Sequence, residues 1–161
     1  MLKFLIFIII LAIILAIAVP LGIKQGKENK KLFEEGKIIQ RPLHFAEKGE
    51  EFVSRIGTTD NLKAELEKMV LPCETKGNTT QATFTGSSYS ARLYRVDFDE
   101  PSGVAIYRFE FTAWKTNSAT YVEAISMNRL MTAVEKAFLA LDPNTAVTSY
   151  DIDFKTKHSI I

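Results

Sequence analysis

The residues of this chain whose types could do chemistry are its clustered acids, its histidines and its cysteine. Asp97-Phe98-Asp99-Glu100 is a D-x-D-E cluster of the kind that can hold Ca²⁺ or Mg²⁺ through carboxylate oxygens. Acidic residues beside a turn are common, and Asp97 is claimed by Arg108 in the expected hairpin register, which favours an ordinary acidic hairpin over a metal site. Asp151-Ile152-Asp153 would set two carboxylates on one strand face about 7 Å apart, beside Lys155 and Lys157. His44 and His158 are the only histidines, and neither has a nucleophile at a motif spacing. Cys73 is alone, so it forms no intrachain disulfide and no cysteine-based zinc site. No glycine-rich phosphate loop, H-E-x-x-H or G-x-S-x-G occurs. No catalytic set, metal or cofactor is therefore expected. An enzyme built on this chain would have to assemble its site from dispersed groups, with Asp97, Asp99, Glu100 and His44 the available ones.

A binding chemistry is easier to read. Tyr94, Val96 and Phe98 alternate with Arg95, Asp97 and Asp99. After Pro101-Ser102-Gly103, Ala105, Tyr107, Phe109, Phe111 and Ala113 alternate with Ile106, Arg108, Glu110, Thr112 and Trp114. This is a β-hairpin with one apolar face and one mixed face. Val104, Ile106, Arg108 and Trp114 fall on the mixed face, and Trp beside Arg and apolar residues is the composition of a contact surface. These four are the candidate partner-binding residues, for a protein partner or a second copy of the chain. Charge suggests the hairpin register. With Asp99 opposite Val104, Arg95 would face Arg108; a shift of two residues sets Arg95 against Glu110 and Asp97 against Arg108, and that second register is expected.

The elements that must hold this hairpin follow from periodicity. Ile38 to Phe45 suggests one short strand, which Pro42 confines to a sheet edge or a loop. Residues 46–56 read as a helix with Phe52, Val53 and Ile56 on one face, and residues 61–70 as a second helix capped by Asp60 and ended by Pro72. Gln81 to Thr85 is a strand before the Gly86-Ser87-Ser88 turn. Thr120-Tyr121-Val122-Glu123 has the form of a capping box. Behind it Ala124, Met127, Met131, Val134, Phe138 and Leu141 make an apolar stripe that Asp142-Pro143 ends. The competing reading makes Tyr121–Ser126 a further strand. A last strand is expected from Ala146 to Lys155. Segregated strands and helices imply an α+β domain of two layers, an antiparallel sheet packed against helices.

The start of the chain is of another kind. Phe4 to Val19 is sixteen apolar residues without interruption, and Pro20-Leu21-Gly22-Ile23 extends the uncharged run. Twenty helical residues span about 30 Å, the thickness of a hydrocarbon core. Residues 1–23 are thus expected to be a single transmembrane anchor, with the lipid bilayer as its partner. Ala16-Ile17-Ala18 resembles a signal-peptidase site, but the apolar run continues past it, which favours a retained anchor. Residues 24–37 read as a charged juxtamembrane linker, a frayed helix or flexible stalk, and residues 38–161 as the soluble domain. Lys24, Lys27, Lys30 and Lys31 outnumber Lys3 on the other flank, which favours the cytoplasm for that domain, whereas the usual fate of a short N-terminal anchor in an exported protein points the other way. Residues 42–161 hold thirteen basic against sixteen acidic residues, a balance that lacks the footprint of a nucleic-acid binder. The whole reads as a membrane-anchored, non-catalytic interaction domain.

Overall fold

Residues 2–69, 71, 73–117, 120–152 and 159–160 are described by a computed structural model of the chain. They fall into two units, Met1–Gly36 and Lys37–Ile161. The first is one helix, α1 (Leu2–Glu34), of 33 residues with Pro20 inside it, about 50 Å long at 1.5 Å per residue. It is long and apolar enough to cross a membrane. The charged segment expected as a frayed or flexible linker is helical as far as Glu34. A helix already nucleated by an apolar run propagates at little cost, and Lys30–Glu34 (3.8 Å) and Lys31–Glu35 (3.7 Å) add pairs one turn apart.

The second unit is built on an antiparallel sheet. Its elements are β1 (Lys48–Ser54), α2 (Thr59–Glu67), β2 (Glu74–Gly77), β3 (Gln81–Thr85), β4 (Tyr89–Asp99), β5 (Val104–Asn117), β6 (Thr120–Tyr121), α3 (Ala124–Leu141), β7 (Ala146–Asp151) and β8 (Ser159–Ile160). The strands lie in the order β2-β3-β4-β5-β1-β7 with every neighbour antiparallel, while β6 and β8 pair with the far end of β5. The architecture is α+β, as the segregation of strands and helices indicates. Helices α2 and α3 cover one face. Leu62 and Leu66 of α2 and Met127, Met131, Val134 and Phe138 of α3 are buried against Phe52, Phe84, Leu93, Tyr107 and Phe109 of the sheet. Phe138 stacks flat on Phe52, ring centres 4.2 Å apart, and meets Tyr107 edge-on at 5.3 Å. Asp142 ends α3 and accepts hydrogen bonds from the Arg55 N–H (2.8 Å) and the Ser54 hydroxyl (3.1 Å), tying the helix end to β1.

Several expectations are corrected. Residues 46–56 are not a helix: they hold the strand β1 at Lys48–Ser54, preceded by a single 3-10 turn at Phe45–Glu47. Ile38 to Phe45 is an irregular strap and not a strand. The helix α2 begins at Thr59 with Thr58 as its cap residue, two residues before the expected start. The capping box does not form: Thr120 pairs in β6, and the residue before α3, Glu123, makes no side-chain cap. Pro72 and the end of the last strand, with Asp153, Phe154, Lys155, Lys157 and His158, lie outside the described residues.

The hairpin takes the register that charge argued against, Asp99 opposite Val104, and it escapes the expected clash. A bulge at Val96 shifts the pairing so that Arg95 faces Tyr107, Tyr94 faces Arg108 and Arg92 faces Glu110. The turn is closed by the Gly103 N–H donating to the Asp99 carbonyl (2.8 Å), with Gly103 at φ 68°, a conformation that suits glycine. A second bulge, at Thr112, leaves Ser90 opposite Ala113 and Ala91 opposite Phe111. It reverses the alternation beyond Phe111 and turns Trp114 to the helix-covered side, where it is 5% exposed and packs edge-on against Tyr121 at 6.0 Å. Trp114→Ala is accordingly expected to destabilise the domain by about 3–5 kcal/mol, while Ile106→Ala on the opposite face changes it by about 1 kcal/mol or less. Urea titration followed by circular dichroism measures both. Equal effects would mean that Trp114 is not a core residue.

Candidate open-face site

The sheet face turned away from the helices carries three rows of side chains, set by the strand registers. Lys76, Thr83, Arg92 and Glu110 lie in one row, across β2, β3, β4 and β5. Gln81, Tyr94, Arg108, Glu51 and Thr148 form the next, from β3 to β7. Asp97, Ile106, Val53 and Ala146 form the third. Three of the four residues expected at a contact surface are here: Val104 and Ile106 are half-buried, and Arg108 is partly exposed. Trp114 is not among them. Ile106 lies beside Val53, and together they form a small apolar patch next to the charged rows.

The centre of the face is Glu110. Its carboxylate accepts from Arg92 Nε (3.1 Å) and Nη2 (2.8 Å) on one oxygen, and from the Tyr94 (2.9 Å) and Tyr150 (2.6 Å) hydroxyls on the other. Burial pushes the carboxyl pKa up, but the hydrogen bonds from Tyr150, Arg92 and Tyr94 together outweigh it and hold the group below its ordinary range. Glu110 is thus a fixed anion. Burial and the bond to Glu110 drive the Tyr150 phenol far above its ordinary value, so it stays a donor. Arg108 binds Glu51 through Nε and Nη2 (both 2.9 Å) and lies over the Tyr150 ring, 4.9 Å from its centre. Tyr150 reaches Glu110 because Gly49, its partner on β1, has no side chain: a Cβ there would collide with the ring. Arg92, Arg108, Glu110, Thr112, Tyr150 and Asp151 border a shallow cleft of about 730 Å³.

The sequence pattern did not mark Arg92, Tyr94, Glu110 and Tyr150 as a set. The signal was present in the alternation of Arg92 and Tyr94 on β4 with Arg108 and Glu110 on β5, but joining them to Tyr150 needs β1 as a strand between β5 and β7. No protein-family model matches the chain, and no curated protein or solved structure matches it. The reading therefore rests on this geometry alone.

The acidic candidates are not brought to His44. Asp97, Asp99 and Glu100 sit at the tip of the β4–β5 hairpin, where the Asp97 carboxylate accepts from the Phe98 N–H (2.8 Å) and makes no pair with Arg108. His44 lies beside Tyr121, ring centres 6.5 Å apart, and Tyr121 pairs with Thr116 at the other end of β5. Twelve residues of strand separate these places, roughly 40 Å. Among the described residues no group of three or more His, Cys, Asp or Glu could hold a metal ion. The Cys73 thiol is half-buried, and burial raises its pKa.

Behind the open face lies a buried ionic triad. Arg41, on the strap, binds Glu50 of β1 through Nε (2.9 Å) and Glu135 of α3 through Nη2 (2.5 Å), and its Nη1 donates to Asn128 and Thr132 (3.0 Å each). The Ile39 N–H also donates to Glu135 (2.7 Å). Glu50 is 2% exposed and Glu135 1%. One guanidinium faces two carboxylates, so burial, opposed by Arg41 and reinforced by Glu135, raises Glu50 to about 8. Folded Glu50 then holds a proton that the unfolded chain has released above about pH 4.3. Its contribution to stability is full below that pH and is lost as pH rises towards 8, at up to about 1.4 kcal/mol per pH unit. Glu50→Gln should remove this decline, leaving the variant at least as stable as the parent at pH 8. Melting curves read from Trp114 fluorescence across pH 5–9 test it, and a decline of unchanged slope would refute it.

Proposed function

We propose that the protein is a single-pass, membrane-anchored and non-catalytic interaction module that docks a protein partner on the open face of its sheet. The observation that carries this reading is the pre-arranged platform of Arg92, Tyr94, Arg108, Glu110 and Tyr150 beside the apolar Val53–Ile106 pair. Arginine and tyrosine are the residue types that dominate binding energy at protein interfaces, and here their mutual bonds hold them in place before any partner arrives. Each carboxylate of the platform is neutralised by an arginine, and Glu110 is held ionised, away from the neutral range that acid–base catalysis uses. In the membrane reading, α1 crosses the bilayer, and the lysines that follow Ile23 favour the cytoplasmic side for the domain.

Two experiments bear on this reading. A photoreactive residue at Ile106 or Tyr94 of the full-length chain, in its native membrane, should yield a discrete adduct with another protein, whereas one at the exposed Asn61 of α2 should not. Adding Arg108→Glu should reduce that adduct about tenfold. Absence of an adduct, or the same adducts from Asn61, would refute the docking surface. A membrane-impermeant thiol reagent should fail to label Cys73 in intact cells and should label it in opened membranes. Labelling from outside would place the domain on the other side.

A further inference from the structure

The two edges of the sheet are not alike. At one edge, β2 is four residues long, Glu74-Thr75-Lys76-Gly77, with its exposed acid and base paired at 3.2 Å. Short length and charge are the usual guards against edge-to-edge pairing. At the other edge β7 has six residues, Ala146-Val147-Thr148-Ser149-Tyr150-Asp151, of which Ala146, Thr148, Ser149 and Asp151 are exposed. It carries neither lysine nor proline, and its single charge, Asp151, is held by Lys48 at 3.1 Å. Its inner side pairs with β1 along its whole length, and among the described residues no strand pairs with its outer side.

We propose that the free edge of β7 is a self-association surface, on which β7 of a second copy pairs antiparallel about a twofold axis through Thr148. Antiparallel neighbours on one face must come from the same face of each strand. An axis at Thr148 meets that condition, setting Ala146 opposite Tyr150 on the open face and Val147 opposite Ser149 on the helix side. It places Asp151 beyond the paired strand. An axis at Ser149 would instead set Asp151 against Val147.

The choice of a second copy rests on charge and on closure. Asp151, beside Lys48, is the one charge on the edge, and the Thr148 register leaves it outside the paired residues, so the edge carries little charge with which to select a foreign peptide or to repel an identical strand. Pairing of β7 with β2 would propagate as an open fibre, and the guarded β2 edge opposes it. Pairing of β7 with itself closes at two. If α1 anchors the chain in a bilayer, copies share one plane and orientation, which raises their effective concentration. That last support rests on the proposed anchoring. The edge geometry does not, and it is independent of docking on the open face.

The test uses the full chain in phosphatidylcholine vesicles, with Cys73→Ser as background. Thr148→Cys should form a disulfide-linked dimer on mild oxidation, about tenfold more than Lys76→Cys on β2. Adding Ala146→Lys should lower the Thr148 cross-link about tenfold, with Trp114 fluorescence confirming that the domain is folded. Equal yields at the two edges, or no cross-link from a folded Thr148→Cys chain, would overturn the proposal. Amide protection of residues 146–151 by a different co-purified chain, without the Thr148 cross-link, would also overturn it and assign the edge to a foreign strand. Loss of the Ile106 adduct leaves all these readouts unchanged, so the two surfaces fail separately.

Discussion

A single guanidinium holding two buried carboxylates is the constraint on which the second unit depends. Arg41 joins three pieces of chain: the strap, β1 through Glu50 and, far along the sequence, α3 through Glu135. Removing Arg41 would leave buried carboxylates uncompensated, which is far more damaging than replacing the whole set by apolar residues. The triad therefore fixes where the strap runs and which face of β1 turns inward. Because side chains alternate along a strand, a Glu50 that faces α3 requires Gly49, Glu51 and Val53 to face the other way. Those three are the β1 contribution to the open face: the gap that admits Tyr150, the anchor for Arg108 and half of the apolar patch. A one-residue slip of β1 would bury Glu51 without a partner and dismantle the platform.

The same triad explains why β1 is illegible in the sequence. A core strand announces itself by alternating apolar residues, and here the inward positions are Glu50, Phe52 and Ser54. Only Phe52 fits. Ser54 finds its partners at Asp142 and Thr145, far along the chain, and Glu50 finds its own, Arg41, on an irregular strap, so nothing local distinguishes 46–56 from a short amphipathic helix. By contrast the apolar stripe of α3 and the alternation of β5 as far as Phe111 were plain, because each buries its apolar residues against a continuous neighbour. The α+β class follows from those two alone.

Two bulges account for the remaining differences, and both are cases where one inserted residue outweighs a local rule. Cross-strand charge argued correctly that Arg95 cannot face Arg108, but it assumed an unbroken ladder. Inserting Val96 relieves the repulsion at less cost than moving the turn, which Gly103 and the Asp99 carbonyl already hold. At Thr112 the inserted residue carries Trp114 from the solvent side to the core, where a large aromatic gains more from burial than from display. Alternation patterns are reliable only up to the first bulge. Val104, Ile106 and Arg108, before Thr112, lie on the face the alternation assigns them, and Trp114, after it, does not.

The sheet treats its two central carboxylates in opposite ways, and this separates core from surface in energetic terms. Glu50, on the covered face, is raised by burial and holds its proton, so its effect on stability is lost as pH rises. Glu110, on the open face, is lowered because hydrogen bonds from Tyr150, Arg92 and Tyr94 outweigh its burial. Its folded pKa lies below its unfolded one, so its contribution is full above the unfolded value and is lost as pH falls through the folded one. Acid therefore loosens the platform while leaving the triad protonated, and alkali charges the triad while leaving the platform ionised. The open face is thus kept ordered by a group whose stabilising state spans neutral pH. The core carboxylate that positions β1 beneath it needs only to remain paired with Arg41.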